Sequence, residues 1–350
     1  MISITEKTLK DLEFHTILQT ISDRCNTEIG MEKALQIQPF KNKEILFSEL
    51  AYTNEYVSSF TNNNALPNHG FETVTSDLKL LAIEDSFLEL TAIKKILDLS
   101  KSTNEYLKFL KKFKEYYPEL FQKSAEIEFT PFITKSIEEI VNKYGEIKDD
   151  ASPDLVNIRR SINVVRGKIN QSFGMALSHF NSLGYLDDIK ETVVDNRRVL
   201  AVQAMYRKKV KGSILGNSKT GSIAYIEPET TLTYSRELNN LEFEEREEIM
   251  RILRVLSATI RPYANLIAQY QDFLSDIDVI AAKAKYANRI NGILPKINDE
   301  KRLFFREAFH PILLLNNKAE NKPTFPQTIE LESNNRIIVI SGPNAGGKTI

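Results

Sequence analysis

Between Glu229 and Arg261 the chain runs without a glycine or proline, and Leu238, Leu241, Ile249, Ile252, Leu253, Leu256 and Ile260 recur along it at helical spacing. One apolar stripe on an uninterrupted run predicts a single α-helix of about 33 residues, about 50 Å long at 1.5 Å per residue. Glu227-Pro228-Glu229 supplies its start signal. Such a helix is too long for a compact core and suits a projecting arm. A second long helix is signalled at Ser152-Pro153-Asp154, with serine as N-cap and proline at the first helical position. Leu155, Ile158, Ile162, Val165, Ile169 and Phe173 follow at spacings of three and four, a narrow coiled-coil-like seam. On the first helix, Glu242 with Arg246 and Glu247 with Arg251 stand four apart in the favourable order for ion pairs. Pro262 is expected to kink the chain before another helical run to about Asn291.

Between the two long helices the periodicity changes. Val193-Val194, Val199-Leu200-Ala201-Val202 and Ile223-Ala224-Tyr225-Ile226 read as strands, whereas Lys211-Gly212-Ser213 and Lys219-Thr220-Gly221-Ser222 read as turns. A small sheet is therefore expected at the tip of a two-helix arm. The whole chain carries 46 Lys+Arg against 47 Asp+Glu, which excludes a uniformly basic coat. The tip departs from that balance: Arg197, Arg198, Arg207, Lys208, Lys209, Lys211 and Lys219 fall in a window without an acidic residue. Cations on short strands and turns can reach successive phosphates without reading base edges. The same cluster also fits a solvated hairpin guarded against edge aggregation, or a surface for an acidic protein. Tyr206 could stack on an exposed base or belong to a small core.

The first 150 residues read as successive amphipathic helices. Leu9, Leu12, Ile17, Leu18 and Ile21, then Leu46, Leu50 and Val57, then Ile93, Ile96, Leu97 and Leu107 keep helical spacing, with a polar loop over 61–70. Lys108, Lys111, Lys112 and Lys114 have Glu105, Glu115 and Glu119 beside them and read as a solvated helix face. The single cysteine, Cys25, allows no internal disulfide, and the N-terminus lacks an apolar signal core, which together point to a reducing cytoplasm. No apolar run approaches the roughly 18 residues that a membrane span needs. His15, His69 and His179 form no metal-ligand spacing.

The last residues carry a second motif. Residues 336–340 form a β-branched run, the pattern of a strand buried on both faces in a parallel sheet. Gly342-Pro343-Asn344-Ala345-Gly346-Gly347-Lys348-Thr349 then fits G-x-x-x-x-G-K-[ST], the P-loop pattern directly after a strand. Its glycines let backbone N–H groups curl around phosphate oxygens, Lys348 supplies a point charge for the β and γ phosphates, and Thr349 offers a hydroxyl to Mg²⁺. ATP and Mg²⁺ are the expected ligands. The loop is half an active centre, because a P-loop ATPase also needs a Walker-B carboxylate and residues that orient water. Neither is found up to Ile350, so the catalytic carboxylate is expected beyond it.

These elements in this order resemble the MutS family of DNA-handling ATPases. Gly342–Thr349 is similar to that family's GPN-x-GGK-[ST] loop, Phe309-His310-Pro311-Ile312-Leu313 to the R-H-P-hydrophobic opening of its ATPase domain, and Asp276–Lys285 to the L-D-x-x-x-A-x-A segment before it. Three further stretches resemble the second bacterial branch, the MutS-two type. They are Leu12-Glu13-Phe14 through Thr27-Glu28-Ile29-Gly30, then Asp150–Leu155, and then Gly221–Pro228, where Lys219-Thr220 replaces the usual residues upstream.

The resemblance implies a mainly α fold: a helical core or lever over 1–151 and 262–295, arm helices over 152–261 carrying a small basic β clamp at about 190–227, and over 296–350 the start of an α/β, ABC-type P-loop ATPase domain. It also implies a homodimer in the full-length protein, with each ATP between subunits and Phe325 near the adenine. His310, before proline, reads as a backbone-orienting residue. The family's mismatch wedge, G-x-F-[YF]-E, is missing; Phe243-Glu244-Glu245 and Phe87-Leu88-Glu89 sit in predicted helices.

Family members bind branched DNA and suppress recombination, often with a C-terminal Smr nuclease domain, and some act on stalled ribosomes. Neither Smr nor Walker-B segments are read here, so the chain is expected to be an N-terminal fragment or a truncated product, inactive alone as an ATPase. The leading expectation is an ATP-regulated clamp on branched or duplex DNA, held without sequence specificity, or on ribosomal RNA. Its rivals are an ATP-independent helical interaction module with a vestigial P-loop, and a mismatch-repair sensor.

Overall fold

The computed structural model describes residues 4–339 and is mainly α-helical with two small antiparallel sheets. The N-terminal helices are α1 (Glu6–Asp11), α2 (Phe14–Ser22), α3 (Glu28–Leu35), α4 (Lys43–Ser59), α5 (Thr75–Leu81), α6 (Leu90–Lys112), α7 (Pro118–Lys123) and α8 (Phe132–Ile140). Then come α9 (Pro153–Ser182), β1 (Leu186–Val194), β2 (Arg197–Gln203), β3 (Gly212–Asn217), β4 (Ile223–Pro228), α10 (Glu229–Ile260) and α11 (Ala264–Arg289). The described chain closes with β5 (Leu303–Ala308), α12 (Pro311–Ala319) and β6 (Gln327–Leu331).

Two compact units emerge. One, the arm unit, comprises 76–97 and 131–264; the other, the helical unit, comprises 4–75, 98–130 and the described residues from 265 onward. Residues 76–97 and 131–151, assigned to the core from sequence, thus group with the arm. Tertiary contacts explain it: Leu88 N–H donates to Ser257 Oγ at 2.9 Å, and Arg261 donates to the carbonyls of Leu81 and Ser86 at 2.8 Å each. The Phe132 and Tyr263 rings also stack 5.1 Å apart.

In the arm unit the two long helices form where capping and periodicity place them. Ser152 Oγ accepts the Leu155 N–H at 3.1 Å, and Leu155, Ile162, Val165 and Phe173 are buried along α9. On α10 the buried positions are Ile252, Leu253, Leu256 and Ile260, while Leu238 and Leu241 are half-buried. The helices run antiparallel, with Arg159 bonding Glu245 at 2.7 Å and Arg166 bonding Glu242 at 3.1 Å. Neither pair expected within α10 forms. Glu242 turns to α9 rather than to Arg246, and Arg251 bonds the buried Glu248 at 2.6 Å rather than Glu247. Burial decides the second choice, since a carboxylate withdrawn from water needs a cation more than an exposed one does. The Arg251 hydrogen bond, reinforced by Ser152 Oγ at 2.5 Å, holds Glu248 below the usual carboxylate range against the opposing effect of burial.

At the end of this helix pair sits a four-stranded sheet in the order β1-β2-β4-β3, all neighbours antiparallel. A hairpin joins β1 to β2 through Asp195 and Asn196, both at positive φ, the geometry of a type I′ turn. Leu200, Val202, Ala224 and Ile226 pack with Phe173 of α9 and with Val210 into a small core. Lys211-Gly212-Ser213, read as a turn, instead opens β3. A Cβ at Gly212 would overlap the Glu227 carbonyl oxygen and lie 2.9 Å from its carbon, so glycine here serves close strand approach rather than chain reversal.

In the helical unit α11 is buried on nearly every side, through Ile267, Tyr270, Phe273, Leu274, Ile277, Ile280, Ala281 and Ala284. Ile21, Cys25 and Ala34 pack on its Val279, Ala282 and Tyr286. Leu12, counted among the apolar positions of one N-terminal helix, is exposed, because the chain breaks at Glu13, which takes a left-handed φ of 52° between α1 and α2. Strands β5 and β6 pair with each other. The run expected as a buried parallel strand forms no strand over its described part, 336–339, and Ile337 and Val339 are 78% and 84% exposed. A strand buried on both faces needs layers packed above and below its sheet, and β5 and β6 are themselves mostly exposed.

Candidate nucleic-acid interface

The tip sheet sorts the seven expected cations into two groups. Arg197 and Arg198 start β2, and antiparallel register sets carboxylates beside them from outside the acid-free window. Arg197 Nη1 reaches Oε2 of Glu227, a β4 residue 1% exposed, at 3.1 Å. Arg198 bonds Glu191 of β1 at 2.7 Å and Asn170 of α9 at 3.2 Å, and its guanidinium lies 4.4 Å from the Phe173 ring centroid. Both arginines therefore hold the sheet to itself and to α9. Each guanidinium is thus engaged by a carboxylate in the free protein, which lowers the net charge it offers a phosphate relative to an unpaired cation. The signal lay in the sequence, in the Asp195-Asn196 hairpin that fixes which β1 residues face β2, but it needed the register to be read.

Arg207, Lys208, Lys209, Lys211 and Lys219 are exposed and, among the described residues, have no carboxylate within ion-pair distance. The first four lie on the connection that leaves β2 and runs back to the start of β3, parallel to β2 beyond β4; Lys219 lies in the β3–β4 turn. The connection is anchored. Val210 is buried in the sheet core, Tyr206 stacks on Tyr185 with centroids 4.6 Å apart, and Lys209 N–H donates to the Tyr206 carbonyl at 2.8 Å. The Lys209 ammonium lies 5.5 Å over the Tyr185 ring and 5.6 Å over Tyr206. Tyr206 is thus a member of a small aromatic core, with one face already occupied. What remains is a row of unpaired cations on a rigid backbone.

The nucleotide loop, Gly342–Thr349, lies outside the described residues, as does Ile350. Phe325, expected near the adenine, is described: it stands in the segment between α12 and β6 and is 76% exposed. His310 caps α12, its Nδ1 accepting the Leu313 N–H at 3.4 Å, which bears out its reading as a backbone-orienting residue. Among the described residues no group of three His, Cys, Asp or Glu side chains could hold a metal ion, and no helix is long and apolar enough to cross a membrane.

Two stretches quoted for the family resemblance meet in one joint of the helical unit. Asp278 of α11 accepts the N–H groups of Asn26 and Thr27 at 2.9 Å and the Thr27 hydroxyl at 2.7 Å, and its Oδ1 lies 3.1 Å from Nε2 of the buried His69. Thr27 Oγ1 in turn caps α3 by accepting the Gly30 N–H at 3.0 Å. A Cβ on Gly30 would overlap the Asp278 carboxylate and lie 2.7 Å from Thr27 Oγ1. Nothing local in the sequence marks this joint, whose halves stand 252 residues apart.

Fold and tip together define a class, a mainly helical protein whose two-helix arm ends in a small antiparallel sheet bearing exposed cations. No protein-family model matches the chain. It is 30% identical over 356 residues to the Endonuclease MutS2 of Leuconostoc mesenteroides subsp. mesenteroides, which covers 99% of this chain and 43% of that relative. The Endonuclease MutS2 of Ligilactobacillus salivarius is 30% identical over 349 residues, again 99% of this chain and 44% of the relative. That of Caldanaerobacter subterraneus subsp. tengcongensis is 29% identical over 357 residues, covering the whole chain and 43% of the relative. The chain belongs to the MutS2 family, and it spans less than half the length of these relatives.

Proposed function

We propose that this chain supplies the arm and clamp of an ATP-regulated, DNA-binding protein, and that the clamp grips duplex or branched DNA through its phosphates without reading sequence. The observation that carries this is the set of unpaired cations, Arg207, Lys208, Lys209, Lys211 and Lys219, on an anchored connection and turn at the end of a two-helix arm. Kinship with MutS2 proteins supports it. The P-loop pattern supports ATP as the regulator, with Gly342–Thr349 around the phosphates, Lys348 on the β and γ groups and Thr349 on Mg²⁺. The exposed Phe325 is free to stack on a base. A homodimer of the full-length protein, recombination suppression, the endonuclease activity in the relatives' name, and binding of ribosomal RNA by the same cations belong to the same reading of the whole protein.

The test is a charge reversal, Arg207→Glu with Lys208→Glu and Lys209→Glu, in the full-length protein. Anisotropy against duplex DNA, branched DNA and ribosomes, with and without ATP, should show weakened binding. For contact with about five phosphates, log K should fall with log salt at a slope of about −4 to −5, and the triple variant should lose about 3 of that slope. Unchanged affinity with a flat salt response would refute the interface.

A further inference from the structure

One large apolar side chain stands among the clamp's cations. Met205 is 74% exposed on the 3₁₀ turn Ala204–Tyr206 that follows β2. Met175 on α9 is exposed too, at 61%, so exposure alone singles out nothing; what sets Met205 apart is its place beside the clamp's cations. Its surroundings are specific. Arg207, Lys208 and Lys209 follow it directly, and the Ala204 N–H donates to the Ser222 carbonyl at 2.9 Å, which sets the Lys219 turn beside it. Cations therefore follow Met205 along the chain and stand on the neighbouring β3–β4 turn.

The turn is held rather than loose. Tyr206 is clamped on Tyr185, Arg207 N–H donates to the Ala204 carbonyl at 3.3 Å, and the Tyr185 carbonyl accepts the Gln203 N–H at 3.1 Å. Phosphate-binding cations around a projecting, unbranched apolar side chain on a rigid turn form the pattern of a side chain that slips between bases and opens a stacked step. Unstacking costs free energy in continuous duplex and least where stacking is already broken, at a nick or a branch point.

Resting on the DNA-binding reading above, we infer that Met205 is a wedge that enters interrupted base stacks and gives the clamp its preference for nicked or branched DNA over continuous duplex. The cations supply sequence-independent affinity, and Met205 supplies the discrimination.

The test uses the full-length protein with Met205→Ala and Met205→Leu, read by anisotropy on continuous duplex, nicked duplex and a three-way junction of equal length. A 2-aminopurine at the nick or junction reports unstacking. The alanine variant should bind continuous duplex as the wild type does, with the same salt slope, while its affinity for nicked and branched DNA falls by about tenfold, the range expected for losing one buried apolar side chain. The rise in 2-aminopurine fluorescence should vanish with alanine and return with leucine. Intact DNA binding with an unchanged preference and unchanged fluorescence overturns the wedge alone. Failure of the wild type to bind any of the DNAs overturns the DNA-binding reading itself. With a structured RNA hairpin added as a fourth ligand, a Met205-dependent preference confined to that RNA overturns the assignment of DNA as the ligand.

Discussion

Replacing Asp278 by asparagine tests whether the joint between the first helices and α11 holds the helical unit together. The carboxylate is fully buried and receives the Asn26 and Thr27 N–H groups, the Thr27 hydroxyl and His69. Asparagine keeps the shape but offers one acceptor oxygen, so its amide nitrogen must face at least one of these donors. Hydrogen bonds to a charged group are worth about 1.5–3 kcal/mol, and an orphaned donor adds its desolvation, which gives a loss of about 2–4 kcal/mol. With m of about 2 kcal/mol/M, the urea midpoint should drop by about 1–2 M. The chain contains no tryptophan, so far-UV circular dichroism and hydrogen exchange of α3 and α11 are the readouts.

The Gly30→Ala variant strikes the same joint from the other side, since its Cβ overlaps the carboxylate. Combined with Asp278→Asn it should cost at least about 1 kcal/mol less than the sum of the two. Burial alone would raise the Asp278 carboxyl, but hydrogen bonds from His69, Asn26 and Thr27 outweigh it and hold the group below its ordinary value. Its folded pKa lies under the unfolded value of about 3.9, so this stabilisation is complete above about pH 4 and is lost as pH falls through the folded value. The asparagine variant should lack that part of the acid transition. A midpoint within about 0.3 M of wild type, with m unchanged, would refute the joint as a stabilising element.

Arg198→Ala should destabilise the tip sheet by about 1 kcal/mol, because it removes a half-exposed ion pair and the contact with Phe173, yet leave the salt slope of DNA binding intact; a reduced slope would return Arg198 to the interface. Gly212→Ala should cost about 1–3 kcal/mol by overpacking against the Glu227 backbone and should speed hydrogen exchange in β3 and β4, whereas unchanged protection would contradict the close approach. In the full-length protein Lys348→Ala should abolish ATP binding by calorimetry, and wild-type affinity would remove the P-loop from the mechanism.

Much of the fold was legible because it rests on local rules. Ser152, Pro153 and the seam from Leu155 to Phe173 placed α9, and the stripe from Leu238 to Ile260 placed α10, since caps and helical periodicity act within a few residues. Where the reading missed, a distant partner overrode a local preference. Glu242, expected to pair with Arg246 within α10, pairs with Arg166 of α9 instead, and Gly212 proved to be a strand residue because the Glu227 backbone lies against it.

The ordered motifs, from Thr27 through Asp278 to the P-loop, were enough for the sequence alone to announce the family, because kinship is written in residue order. Which cations are free was a different matter. Composition counted seven at the tip, but strand register brought Glu191 and Glu227 to Arg198 and Arg197 and left the others unpaired. Charge available to a ligand depends on which carboxylates lie within a few ångströms, and only the folded chain sets those distances.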